Sequence, residues 1–475
     1  VKSFDASKAR AMPGVTHVVQ ISSGVAVVAG SFWQAKTARD ALAITWDEGA
    51  NAENSSAKIA RAMTALAAQP GVNARKDGDP QAVLGAAPRA RTVEATYELP
   101  FLAHATMEPM NATAHVRADG VDIWVGTQFQ STTQNTGARI AGVPPEKVQV
   151  HTTYLGGGFG RRAGQDFVAD ALETSKAVGA PVKVMWTRED DMHHGLYRPI
   201  SLHTLRGALD ASGKPSAWTH RLVAPSIRAG GKPQAADFID REAVEGATGM
   251  PYDIGAVSVD YSNVDTGVPV TFWRSVNNSF NAFAVESFID ELAHAAKQDP
   301  FEFRRALLGK APRHLRVLEL AAKESGWGTA PPAGRARGIA VAKAFGSYVA
   351  EVAEVSVGAD GTIRVHRVTC AFDCGPVVNP LTVEAQAQSG IVYGLTAALY
   401  GEITIDRGRV VQNNFNDYRM LRMREMPAID VHLVQTDEAQ GGAGEPGTPP
   451  IAPAVANAVF ALTGKRLRTL PFKLA

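Results

Sequence analysis

The stretch GEPGTPPIAPAVANAVFALTGKRLRTLP spans residues 444–471. Its first ten positions and the three before them form GGAGEPGTPPIAP, residues 441–453, with one charged residue, Glu445, among glycines and prolines. Glycine permits unusual dihedrals and proline fixes them, so this reads as a stiff, tight loop around one carboxylate. A Glu in a Gly/Pro loop is ordinarily solvated. A general base, by contrast, must be held within about 3 Å of the proton it takes and shielded from water, which a tight loop arranges. IAPAVANAVFALTG then reads as a short helix, Pro near its start and Gly at its stop. The basic residues Lys465, Arg466, Arg468 and Lys473 read as a solvated surface.

Outward from this loop, the chain has 475 residues, which predicts two or three domains. Apolar residues make up 45% and charged residues 20%, as in a soluble globular protein. Lys+Arg is 48 against Asp+Glu 47, so net charge gives no reason to expect nucleic acid or an anionic membrane as partner. No apolar run approaches the ~18 residues that span a bilayer, and no targeting signal opens the sequence at Val1. Cys370 and Cys374 lack the C-x-x-C spacing, and two thiols cannot hold an iron–sulfur cluster alone; they read as small buried side chains on a strand.

Residues 1–50 read β-β-α-β, with Ser31 and Gln34 as a capping box for a helix to about Ala43. Residues 51–90 read as surface helix and linker, with a boundary near Pro88. Asp119-Gly120 and Asp360-Gly361 mark hairpins. Helices are expected over 164–179, where Gly179 and Pro181 end the run, over 278–299 as a long amphipathic helix, and over 381–401, where Gly390 and Gly394 lie one turn apart for close packing. A second boundary falls near 326–334. The fold class is α+β with mixed sheets.

Several motifs carry possible chemistry. TTYLGGGFGRR, residues 152–162, follows a strand and precedes a helix. Successive glycines let N–H groups converge on an anion, and Arg161 and Arg162 add charge; the plain alternative is a sharp turn with no ligand. A dinucleotide fold would share this order, with Glu189 and Asp190 after the next strand, but the spacing is not G-x-G-x-x-G. WVGTQFQSTTQN offers the amides Gln128, Gln130 and Gln134, which suit an oxo or pterin ligand or simply a polar loop. Arg274 follows an aromatic pair and could orient an anionic or carbonyl group, or form a surface ion pair. His104 with Glu108 reads as a surface polar pair. Glu291 and His294 have metal-site spacing, but a second such pair is missing, and an exposed polar face is the simpler reading.

Together these segments resemble the molybdenum-binding large (beta) subunit of the xanthine oxidase family, in its isoquinoline 1-oxidoreductase and aldehyde dehydrogenase branch. GTQ (126–128), GGGFGRR (156–162), FWRSV (272–276) with the helix to DPFEFRRALL (299–308), FDCGPVVNP (372–380), EAQAQSGIVYGL (384–395) and the run from Gly444 carry the likeness over essentially the whole chain. It implies three parts: a small α/β, partial-hammerhead-like domain over 1–90, then molybdopterin-binding domains over 91–327 and 328–475. It implies that Glu445 is the catalytic base and Arg274 a substrate-orienting arginine. Gln128 would bond the apical molybdenum ligand. Gly156, Gly157, Gly158, Phe159, Gly160 and Arg161, with Gln386 and Gly444, would contact the cofactor. The metal would be held through the pterin and by no side chain. The implied cofactor is molybdopterin cytosine dinucleotide with molybdenum, and the implied reaction is hydroxylation of an N-heteroaromatic or oxidation of an aldehyde, with water as the oxygen source. Electrons would leave through [2Fe-2S] clusters on a small partner subunit, with a c-type cytochrome as a further partner and the periplasm as the setting.

Two departures stand beside the likeness. Purine-oxidising members carry a Glu just after the glycine loop, where this chain has Arg162-Ala163, which disfavours a purine substrate. The family's GQG-type cofactor motif is also absent. It precedes this stretch in the branch, so the chain is expected to be the back two thirds of the subunit and to need an N-terminal segment or chain to complete its site. The alternatives are a non-catalytic fragment or assembly subunit of such a complex and, more distantly, an NAD-dependent oxidoreductase.

Overall fold

A computed structural model describes residues 1–229, 234–235 and 237–474. The chain divides into two compact units interleaved in sequence. One comprises Val1–Ser55, His104–Leu196 and Ile405–Asn414; the other comprises Ser56–Ala103, Tyr197–Thr404 and Phe415–Ala475. Both contain mixed sheets with packed helices, the α+β class expected from sequence.

In the first unit, the hairpin Val15–Ile21/Gly24–Ala29 is followed by the helix Phe32–Arg39. Ser31 Oγ accepts from Gln34 N–H at 3.3 Å, as the capping pattern predicts. The helix ends before the expected Ala43, because Ala43–Thr45 is drawn into a strand pair with Ser3–Asp5. The main sheet runs Val182–Met185, Asn111–Val116, Val121–Val125, Val148–Thr152, and only the last pairing is parallel. That order excludes the doubly wound dinucleotide fold, whose sheet is built of parallel βαβ crossovers. Val121, Ile123 and Val125 alternate inward and meet Phe167, Val168, Ala171 and Leu172 of the helix Asp166–Val178. The glycine loop lies between Val148–Thr152 and that helix, so a packed sheet and helix fix both its ends.

In the second unit, a five-stranded sheet runs Val72–Asp77, Ala256–Asn263, Pro215–Ala224, Ser201–Leu209, Thr92–Leu99. The strand Val72–Asp77 lies where sequence gave only helix and linker. It is polar because it is an edge strand with one paired side and few buried positions. A second sheet runs Ala336–Ala344, Ser347–Val357, Ile363–Asp373, Ala428–Leu433. The hairpin about Asp360-Gly361 joins its second and third strands, as expected. Cys370 lies in the third strand and Cys374 one residue past it; both are buried free thiols.

The helix Asn278–Ala295 is not the amphipathic helix expected. Residues 278–293 are all buried, because it packs against strands of both sheets and against the helix Ile451–Thr463. Its internal acids are matched by partners outside the helix. Glu286 accepts from Arg304 Nε at 2.9 Å and Tyr252 OH at 2.6 Å. Asp290 accepts from Arg466 at 2.6 Å, and Glu291 from Tyr97 OH at 2.6 Å and Arg468 at 2.5 Å. The tail arginines are therefore ion-pair partners of buried acids rather than a solvated surface. Glu291 is likewise an ion-pair residue and not an exposed or metal-binding one, while His294 is exposed.

Candidate functional site

The loop around Glu445 is built on strand ends and a helix face. Gly441 N–H donates to Cys374 O at 2.9 Å, Gly442 N–H to Phe345 O at 2.8 Å, and Ser347 Oγ to Gly442 O at 2.6 Å. The loop's exit lies on the helix Pro380–Leu399. A Cβ on Gly390 would come within 3.2 Å of Gly447 C, and one on Gly394 within 2.7 Å of Thr448 O. The one-turn glycine spacing is thus the seat of the 447–451 segment. The chain then enters the helix Ile451–Thr463, stopped by Gly464 in the left-handed region.

Three of the residues singled out with Glu445 meet it here. Arg274 is buried, and its Nε donates to Gly444 O at 2.9 Å, with Nη2 also on that carbonyl. Nη1 donates to Ser389 Oγ at 2.9 Å, and Nη2 to Gln386 Oε1 at 2.9 Å. Burial lowers the Arg274 pKa from its ordinary value. The arginine expected to orient substrate thus spends most of its donors on the loop and on Gln386, whose side-chain NH2 remains a donor. Glu445 is half-buried. Its Oε1 accepts from Ser275 N–H at 2.9 Å, and its carbonyl from Ser275 Oγ at 2.6 Å. Among the described residues no hydrogen bond reaches Oε2. A carboxylate held by one oxygen with the other open is competent to accept a proton.

Near this loop, burial, together with Glu242, Asp240 and Glu445, pushes Glu245 up to about 7, against the hydrogen bond from Asn278. The native state therefore binds more protons than the unfolded chain between pH 4.5 and 7. Stability from this group is intact below 4.5 and lost as pH rises through 7. Glu245→Gln is expected to unfold at higher urea than the parent at pH 8, by on the order of 1 kcal/mol after solvent screening, with no difference near pH 4. A parent-like urea midpoint at pH 8 would contradict this.

The glycine loop of the first unit forms a separate cluster. Gly157 and Phe159, with φ of 97° and 53° on either side of Gly158, and Gly160 with φ of 101° curl the loop into a nest-like turn. Gln128 Oε1 accepts from Gly160 N–H at 3.1 Å, which leaves the Gln128 NH2 as a donor. A Cβ on Gly158 would stand 2.6 Å from Gln128 Oε1 and would push that side chain aside. The Gly157 and Gly158 N–H groups form no hydrogen bond among the described residues. Free donors on a backbone without side chains suit the oxygen-rich end of a pterin cofactor, so these residues fit the group.

The two arginines do not add charge to that nest. Arg161 is buried, doubly bonded to Asp166 at 2.9 and 2.7 Å, with its guanidinium 5.3 Å from the Trp186 ring centre. Arg162 is buried and donates to Gly157 O at 2.8 Å and Glu108 Oε2 at 2.6 Å. They neutralise carboxylates and brace the loop from behind. His104 is buried, and Glu108 is half-buried rather than part of a surface pair. Burial raises the Glu108 pKa, but the Gly156 N–H, Asn111 and Arg162 together hold it below the usual carboxylate range. The Glu108–Arg162 brace escaped sequence reading because its partners lie 54 residues apart. Glu108→Ala strands the buried Arg162 and frees Gly156 N–H, and is expected to cost about 2 kcal/mol in urea unfolding.

The family described as "Molybdopterin cofactor-binding domain" matches residues 65–308, and a second domain of that description matches residues 287–427. Isoquinoline 1-oxidoreductase subunit beta of Brevundimonas diminuta is 32% identical over 486 residues, covering 99% of this chain and 62% of that protein. The membrane-bound aldehyde dehydrogenase [pyrroloquinoline-quinone] of Gluconacetobacter polyoxogenes is 32% identical over 524 residues, covering 100% of this chain and 66% of that protein. The chain thus spans less than two thirds of the length of either relative. Among solved structures, quinoline 2-oxidoreductase from Pseudomonas putida 86 superposes with a TM-score of 0.80 at 15% identity, covering 99% of this chain and 91% of that chain; this is a likeness of fold. The chain belongs to the molybdopterin cofactor-binding family, that of the molybdenum-binding subunits of the xanthine oxidase type.

Proposed function

We propose that this chain is the cofactor-carrying part of an oxidoreductase that hydroxylates an N-heteroaromatic or oxidises an aldehyde, with water as the oxygen source. The observation that carries the reading is Glu445: a carboxylate fixed through Oε1 in a braced loop, with Oε2 open. When bound, the molybdenum cofactor supplies Lewis acidity and accepts the two electrons of the oxidation. Glu445 takes a proton at Oε2 as the oxygen nucleophile forms. Arg274 holds Gly444 and Gln386, and so keeps Glu445 and a cofactor-facing amide in place. Gln128 would offer its NH2 to the bound cofactor, and the Gly157 and Gly158 N–H groups would hold its pterin. A carboxylate aimed by two braces loses little time in unproductive orientations.

Further features follow from the family likeness. They are the cytosine dinucleotide form of the cofactor, a small [2Fe-2S] partner subunit, an N-terminal segment or chain with a further cofactor motif, a c-type cytochrome, a periplasmic setting and the three-part division at about residues 90 and 327. None of the helices among the described residues is long and apolar enough to cross a membrane.

The test is elemental analysis of the native preparation with its co-purifying subunits, followed by dye-linked oxidation of N-heteroaromatics and aldehydes. Molybdenum near one per chain with turnover of either class supports the reading. No molybdenum, with cofactor supply and partners intact, would leave a folded assembly subunit instead.

A further inference from the structure

The turn that carries Ser275 and Val276 has a backbone that its sequence does not favour. Both residues lie in the left-handed region, at φ 72° and 49°. That region is unfavourable for any side chain and worst for a β-branched one such as Val276. Glycine would adopt it freely, yet none is present between Trp273 and Ser279. The turn is tight: Val276 N–H donates to Trp273 O at 2.6 Å, and Asn278 N–H to Ser275 O at 3.1 Å. Asn277 closes it, 1% exposed, with neither side-chain amide atom bonded among the described residues.

What this conformation achieves is visible in where its donors point. Ser275 is fully buried, and both its donors go to Glu445, one to the carboxylate and one to the backbone carbonyl. The preceding residue, Arg274, grips the carbonyl of Gly444. Two consecutive residues of one turn therefore hold two consecutive residues of a loop 170 positions away. A loop needing only anchorage could use its backbone carbonyls. A donor on the carboxylate itself also fixes the last torsion of the Glu445 side chain.

We propose that the Ser275–Val276 turn is the positioning device for Glu445, its left-handed backbone aiming the Ser275 N–H at Oε1 so that Oε2 alone is presented for proton transfer. This rests on the reading of Glu445 as the base. Ser275 and Val276 are positioning residues: they act through Glu445, and small misplacements of a reacting group cost up to about 10²-fold in rate.

Two measurements on the cofactor-loaded enzyme with its native partners test this: amide hydrogen exchange of residues 441–449, and steady-state kinetics. Ser275→Ala is expected to exchange about tenfold faster in that loop, in line with one lost hydrogen bond. It should keep its molybdenum and lose kcat about tenfold, with KM within about twofold of the parent. Val276→Gly, which adopts the same left-handed backbone without strain and removes no hydrogen bond, is expected to keep loop exchange and kcat within about twofold of the parent. In the double variant Ser275→Ala/Glu445→Gln, turnover should be no slower than in Glu445→Gln alone, since a device acting through an absent base has nothing left to position. Parent-like loop exchange in Ser275→Ala, or losses that multiply in the double variant, would overturn the proposal. Normal turnover of Glu445→Gln by itself would count against the proposed function, while loop exchange still reads the Ser275 contact.

Discussion

Glu445→Gln is expected to keep its molybdenum and lose kcat by about 10²-fold or more, the usual consequence of removing a general base. The substitution is close to isosteric. The amide oxygen still accepts from Ser275 N–H, and the bonds from Arg274 to Gly444 O and from Ser275 Oγ to Glu445 O involve only backbone carbonyls. The loop should therefore hold its place, and the urea midpoint should stay close to that of the parent. What is lost is the basicity of the open oxygen. Metal content, kcat and urea midpoint on one preparation separate these effects. Normal turnover at full metal content would take Glu445 out of the chemistry, whereas loss of metal would make it a binding residue.

A second large effect is expected far from any reacting atom. Gly338 lies in the strand Ala336–Ala344, under the helix Ile451–Thr463. A Cβ there would stand 2.2 Å from Ala458 N and 2.3 Å from Ala454 O. Both obstacles are helix backbone, so no rotamer change relieves them, and the helix must lift off the sheet. Gly338→Ala is expected to cost about 3 kcal/mol or more, at the upper end of overpacking effects. Because that helix begins only six residues after Glu445, activity should fall with stability. Gly85→Ala is the control: within the helix Pro80–Ala86 its Cβ would meet nothing within 4 Å, and it should be neutral or stabilising by about 0.5–1 kcal/mol. Equal urea midpoints for the two variants would refute the packing argument.

Features written in local grammar were legible in the sequence. The turns at Asp119-Gly120 and Asp360-Gly361, the Ser31 cap, the stop at Gly179 and the paired glycines of the helix Pro380–Leu399 each depend on residues within a few positions. The grouping of Arg274, Gln386, Gly444 and Glu445 was legible only through family likeness, since their contacts span 112 to 170 positions. Charge was where local reading failed. Arg161 and Arg162 read in sequence as charges for a bound anion, Arg466 and Arg468 as solvent-facing cations, and Glu108 and Glu291 as exposed acids. Arg161 is matched to Asp166 five residues on, and the others to partners that only the tertiary fold supplies. The strand Val72–Asp77 was missed for a related reason: an edge strand has too few buried positions to leave an apolar alternation.

The arginines that satisfy the central helix have a consequence for biosynthesis. Arg466 and Arg468 reach Asp290 and Glu291 across 176 and 177 residues. At about 5–20 residues per second, the ribosome adds that length in roughly 10–35 s. Throughout that interval the nascent helix Asn278–Ala295 has Asp290 without Arg466, Glu291 without Arg468 and its apolar surface without the helix Ile451–Thr463. The larger unit therefore completes its core only as the last of its segments emerges, and it is during this window that the chain most needs a chaperone.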